Sequence, residues 1–183
     1  MPLATKAFTG LFDLQFRVMC LRQIGNNHRI ARVINQELNR YVKWVFRDAD
    51  LDKYNIAPNI VIKAVSVAGL DKDALTKMIN KAFQVHLDKY AAFYSAAHPE
   101  LAAPRVIYGF FAVQHAVMLF TMDAARPKVR PRLITDFNLA QKDQWLDASL
   151  CVAIPVYLAR ARLLQLTSKM EPMEEEEEDD PDL

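Results

Sequence analysis

Residues 29–47, RIARVINQELNRYVKWVFR, repeat their apolar side chains at the period of an α-helix. At about 100° per residue, Ile30, Ile34, Leu38, Tyr41, Val42 and Val45 gather on one side of such a helix. Arg29, Arg32, Gln36, Arg40, Lys43 and Arg47 gather on the other, within an arc of roughly 80°. The segment therefore reads as a five-turn helix with one face for a core and one for water, and the wet face is basic.

The rest of the chain is read around this helix. Only four glycines stand among 183 residues that are 52% hydrophobic, which favours long helices and few tight turns. Residues 3–24 space Phe8, Leu11, Leu14, Val18, Leu21 and Ile24 as a first helix, with Gly25 just past its end and Asn26-Asn27 as turn and N-cap. DADLDKYNIAPN, residues 48–59, places aspartates like a calcium loop. Lys53 and Asn59 stand where such a loop needs glycine and a bidentate glutamate, so the segment reads as a solvated connector.

NIVIKAVSVAGL, residues 59–70, is β-branched but finds no evident partner strand, and it is assigned to a short buried helix. Asp71 caps a long helix to about Ala97, with Leu75, Met78, Ile79, Ala82, Phe83, His86, Tyr90 and Phe93 facing inward. The run Val106–Met122 is almost wholly apolar. It falls short of the ~20 residues of a membrane span and carries Gln114 and His115 at its middle, so it reads as a central core helix. RPKVRPR, residues 126–132, is an extended basic linker, and a last helix is expected from about Asn138 to Ser168, kinked at Pro155. The expected fold is all-α: a single compact helical domain, residues 1–170, of five or six helices, followed by a disordered acidic tail, residues 171–183.

Charge is divided sharply along the chain. All 23 Lys and Arg lie at or before Lys169, whereas nine of the 22 acidic residues lie in the last thirteen positions. A formal net charge of +1 thus conceals a body of about +10 and a tail of about −9. Asp13, Gln15 and Arg17 interrupt the N-terminal apolar run, so no secretory core is read there. Cys20 and Cys151 are expected as buried thiols in a cytoplasmic protein.

Several chemistries lack their residues. HExxH, CxxC, GxGxxG, GxSxG and a phosphate-loop Gly-Lys-Ser/Thr are missing, and neither Glu37 nor Glu100 has the histidine three residues on that a carboxylate di-iron bundle requires. No metal, no cofactor and no catalytic residue is assigned. His86 and His115, both in apolar segments, read as core histidines satisfied by a neighbour.

The functional expectation is a non-enzymatic protein that binds nucleic acid or another polyanion. Arg29, Arg32, Arg40, Lys43 and Arg47 form a stripe free of acids, with Trp44 and Tyr41 at its borders for stacking. Arg126, Lys128, Arg130 and Arg132 of the linker would extend it, and the acidic tail would compete for it in cis. The alternative is a structural or assembly protein whose abundant aromatic and methionine side chains, such as Phe12, Phe16, Phe110 and Met118, reach beyond one core into a homo- or hetero-oligomeric helical interface.

Overall fold

The computed structural model describes residues 9–65 and 71–173. After a helical turn at residues 9–12 come α1 (Leu14–Gln23) and α2 (Ile30–Asp48), then β1 (Ile60–Val65) and α3 (Lys72–Ala97). The chain continues through β2 (Val106–Val113), β3 (Ala116–Asp123), β4 (Arg132–Asn138) and α4 (Trp145–Thr167). The strands form one mixed sheet in the order β1-β2-β3-β4. β1 and β2 run parallel across the α3 connection, and β2, β3 and β4 form an antiparallel meander. The fold is α/β, which overturns the all-α domain of five or six helices expected from the sequence.

The largest correction falls on the apolar run Val106–Met122. It is not a helix but a hairpin, with Phe110 opposite Leu119 and Val113 opposite Ala116. Helices cover both faces of this sheet. Phe110, Ala112, Val117 and Leu119 therefore face one apolar layer, while Ile107, Phe111, Phe120 and Met122 face another. With both faces dry, the alternation that marks a strand disappears, and length alone suggests a helix. The turn, Gln114-His115, lacks the usual turn residues; Gln114 takes the left-handed conformation itself, with φ 54°.

The second correction follows from the first. Residues 60–65, assigned to a short helix for want of a partner, are β1, whose Ile62 pairs with Phe110 of the unrecognised β2; residues 66–70 lie outside the described residues. The basic linker runs directly into β4 at Arg132, and the last helix starts at Trp145, later than expected, with Pro155 buried inside it.

The expected Asn26-Asn27 N-cap is not formed: Asn27–Arg29 is a 3-10 turn that runs into α2, and among the described residues no side chain caps either element. Other end signals hold. α1 ends in a paired C-terminal motif: Asn26 N–H reaches Leu21 O at 2.8 Å, Gly25 N–H reaches Arg22 O at 3.0 Å, and Gly25 has φ 71°. Asp71 Oδ1 accepts the Ala74 N–H at 2.7 Å and so caps α3. Ile79, Phe83 and Tyr90 of α3 are buried as expected, although Met78 is exposed. Residues 3–8 of the expected first helix and residues 174–183 of the acidic tail lie outside the described residues.

Two apolar layers hold the sheet. α1, α2 and α4 pack on one face through Leu14, Ile34, Leu38, Val152 and Val156; α3 covers the other, where the Phe83 ring lies 5.6 Å from Phe111 and 6.5 Å from Phe120. Gly109 of β2 lets Phe83 in: a Cβ there would stand 2.4 Å from its Cζ. α3 also pins the connector before β1. Tyr94 Oη donates to Ala57 O at 3.0 Å, His86 Nε2 to Pro58 O at 3.1 Å and His98 Nε2 to Asn55 O at 2.6 Å.

α4 departs from the amphipathic rule. Its inward side (Ala148, Val152, Val156, Ala159, Leu163) is buried, yet Leu146, Leu150, Ile154, Tyr157, Leu158 and Leu164 face outward and are 39–62% exposed. It is long and apolar enough to match a membrane span by length and composition, but 39% of that stretch is buried in the fold.

Candidate functional site

The site is built on α2. This helix packs across β1 and β2, and its buried side chains include the six apolar residues that its period selects. Arg29, Arg32, Gln36, Arg40, Lys43 and Arg47 all face solvent. One acid lies beneath them. Glu37 is only 3% exposed; Arg17 of α1 ion-pairs with it, and Arg40 Nη1 lies 3.0 Å from its Oε2. Two guanidiniums on one carboxylate leave the surface above it cationic. Arg47 approaches Asp52 at 3.7 Å with both groups exposed, a contact of little energetic weight. Among the described residues, Arg29, Arg32 and Lys43 make no ion pair.

The aromatic borders contribute less than the sequence suggested. Tyr41 is buried, which raises the pKa of its phenol, and its ring lies 5.8 Å from Trp44. Trp44 is half-buried against the core, so at most one edge of its indole is available to a ligand.

At its N-terminal end the stripe opens into a cavity of about 600 Å³. Arg22, His28 and Arg32 line it, together with Gln114 and His115 of the hairpin turn and Ala64 and Val65 at the carboxyl end of β1. Ligands of open α/β sheets characteristically sit beyond the carboxyl ends of parallel strands. The first turn of α2 contains no acid, but a 3-10 turn, Asn27–Arg29, runs straight into it and Ile30 N–H bonds Asn27 O, so the positive charge of the cavity comes from the two guanidiniums. Burial lowers the pKa of His115, and repulsion from Arg22 lowers it further, so this imidazole is neutral at pH 7. The cavity thus offers donors and positive charge to an anion.

Comparison with protein-family models, curated proteins and solved structures finds no match for this chain.

The linker cations lie elsewhere. Arg126, Lys128 and Arg130 are exposed between β3 and β4, and Arg132 begins β4, at the sheet edge opposite β1. Three strand spacings of about 4.8 Å separate that edge from the β1 side over which α2 packs. Arg126 lies 3.9 Å from Asp123, which is held by two hydrogen bonds from Arg105 at 2.9 and 2.7 Å.

The sequence offers Arg22 as an extension of the stripe but does not single out His28 and His115 as neighbours of Arg32. The proximity of His115 depends on the hairpin, which is hidden inside an assumed helix, whereas His28 stands one turn before Arg32 in the chain. His86 and His115 do not meet: His86 sits on α3 against Pro58, and His115 occupies the hairpin turn on the α2 side. Among the described residues, no three His, Cys, Asp or Glu side chains gather as a metal site.

Proposed function

We propose that this protein binds a phosphate-bearing polyanion, with nucleic acid as the leading candidate. In this reading Arg29, Arg32, Arg40, Lys43 and Arg47 form the tracking surface, and the cavity at the head of α2 seats one phosphate. The observation that carries the proposal is the union of the two features on one helix. An acid-free row of exposed cations ends where Arg22 and Arg32 converge on the cavity. Nineteen helical residues rise about 28 Å, enough to span several phosphates of a strand.

The charge on the helix alone would also suit an ordinary solvated surface. The cavity at its N-terminal end favours the ligand-binding reading, because it gives an anion room beside both Arg22 and Arg32. The acidic tail then acts as an internal competitor for the same face. The test is fluorescence anisotropy of labelled single-stranded and duplex oligonucleotides at two salt concentrations, with wild type and an Arg29→Glu/Arg32→Glu variant. Binding that weakens steeply with salt and is lost in the variant is expected. Binding unaffected by the double reversal, or no binding at low salt, overturns the proposal.

A further inference from the structure

We propose that the outward face of α4 is a self-association surface, on which a second copy of this chain packs α4 against α4 in antiparallel fashion about a twofold axis near Ile154. The six outward apolar side chains of α4 fall within an arc of about 120° of the helix, opposite its buried side. The Phe12 ring, 5.6 Å from Trp145, belongs to the other side of the helix, because Trp145 lies in line with the buried residues of α4. The six outward side chains of α4 leave roughly 600 Å² in water, by their fractional exposures. That is the upper end of the roughly 300–600 Å² of a typical monomer's largest patch, and it is concentrated on one helix.

Charge selects the occupant. In an antiparallel helix pair centred on Ile154, Leu150 of one copy meets Leu158 of the other, and Asp147 falls opposite the 160–162 turn. Asp147 and Arg162 are both exposed and straddle the same border of the apolar stripe, Asp147 just inside it and Arg162 just outside, and antiparallel helices place like borders together. The twofold therefore generates two Asp147–Arg162 pairs at the rim of an apolar centre. An anionic lipid surface is a poorer match: Asp147 stands in the face, and nine acids occupy the thirteen positions that follow residue 170. Departure of α4 into a bilayer would also strip Val152, Val156 and Ala159 from the core.

The test is the mass of the full chain in solution, by size-exclusion chromatography with light scattering over a concentration series. Twice the 20.9 kDa chain mass is expected. Ile154→Asp, at a position 56% exposed, should give a monomer with an unchanged melting curve. Asp147→Arg and Arg162→Asp should each weaken the dimer by about tenfold, and the double exchange should restore it. A chain that stays monomeric overturns the proposal, and sedimentation of that monomer with neutral or anionic vesicles would give the face to lipid instead. A dimer that survives Ile154→Asp, or one that the double exchange does not restore, also overturns it.

Discussion

Arg40 Nη1 lies 3.1 and 3.0 Å from the two carboxylate oxygens of Glu37, so the one acid beneath the basic face of α2 is held by a member of that face. Arg17 completes the arrangement from α1, tying the two helices together. Glu37 is buried while both arginines remain partly in water. Glu37→Ala is therefore expected to cost about 1–3 kcal/mol, measured as a shift in urea midpoint. Arg40→Ala should cost under about 1 kcal/mol, because Arg40 is largely solvated and Arg17 still satisfies the carboxylate. Equal losses from the two substitutions would show that the burial of Glu37 carries no special weight.

Two glycines give a contrast in mechanism. Gly109→Ala places a methyl group against the Phe83 ring, which is wholly buried and bounded by Phe111 and Phe120. Overpacking of this kind is expected to cost about 1–3 kcal/mol. Gly25 has open space around its Cα but sits at φ 71°, so Gly25→Ala should cost about 1 kcal/mol through backbone strain alone. Chemical denaturation of both variants checks the order, and a mutation that shortens Phe83 should relieve only the first.

The contrast between α2 and the β2–β3 hairpin shows what was legible in this sequence. α2 has one dry and one wet face, so its period survives in the residue order: its six expected apolar residues are all buried, and Glu37, buried with them, is the one that the period does not show. β2 and β3 are dry on both faces, and their turn is made by Gln114 and His115 rather than by glycine or asparagine, so neither period nor punctuation marks them. The loss propagated: without β2 there was nothing for β1 to pair with. The basic stripe was visible because exposure and charge are local properties. The cavity at its head was not, because the hairpin that brings Gln114 and His115 beside Arg22 and Arg32 went unrecognised. The outward apolar face of α4 was equally hidden, since a helix apolar all round reads as a buried one.

Acid should destabilise the protein through its histidines. Burial lowers the pKa of His86; the hydrogen bond to Pro58 O opposes that shift, and repulsion from Lys63 and Lys89 adds to it. His115 moves in the same direction. A depressed folded-state pKa means that the unfolded chain takes up the proton first as pH falls. Stability should therefore be complete above the ordinary histidine value of about 6.5 and decline as pH drops below it. His86→Gln should flatten part of this dependence between about pH 6.5 and 5, read from urea midpoints across that range. A wild-type profile that is flat over the same range would contradict the assigned direction.

Salt dependence should separate the two basic segments. If α2 and its head cavity form the binding surface, each phosphate contact contributes about 0.9 to the slope of log K against log salt for duplex and about 0.7 for a single strand. Arg29→Ala/Arg32→Ala should then lower the slope by about two duplex contacts, while Arg130→Ala/Arg132→Ala, across the sheet, should leave it nearly unchanged. Deletion of residues 171–183 removes nine acids and should tighten binding most at low salt, where the tail competes best. The reverse pattern, with the linker pair controlling the slope and the α2 pair silent, would move the site to the β4 edge. It would leave the stripe on α2 as the solvated side of a core helix.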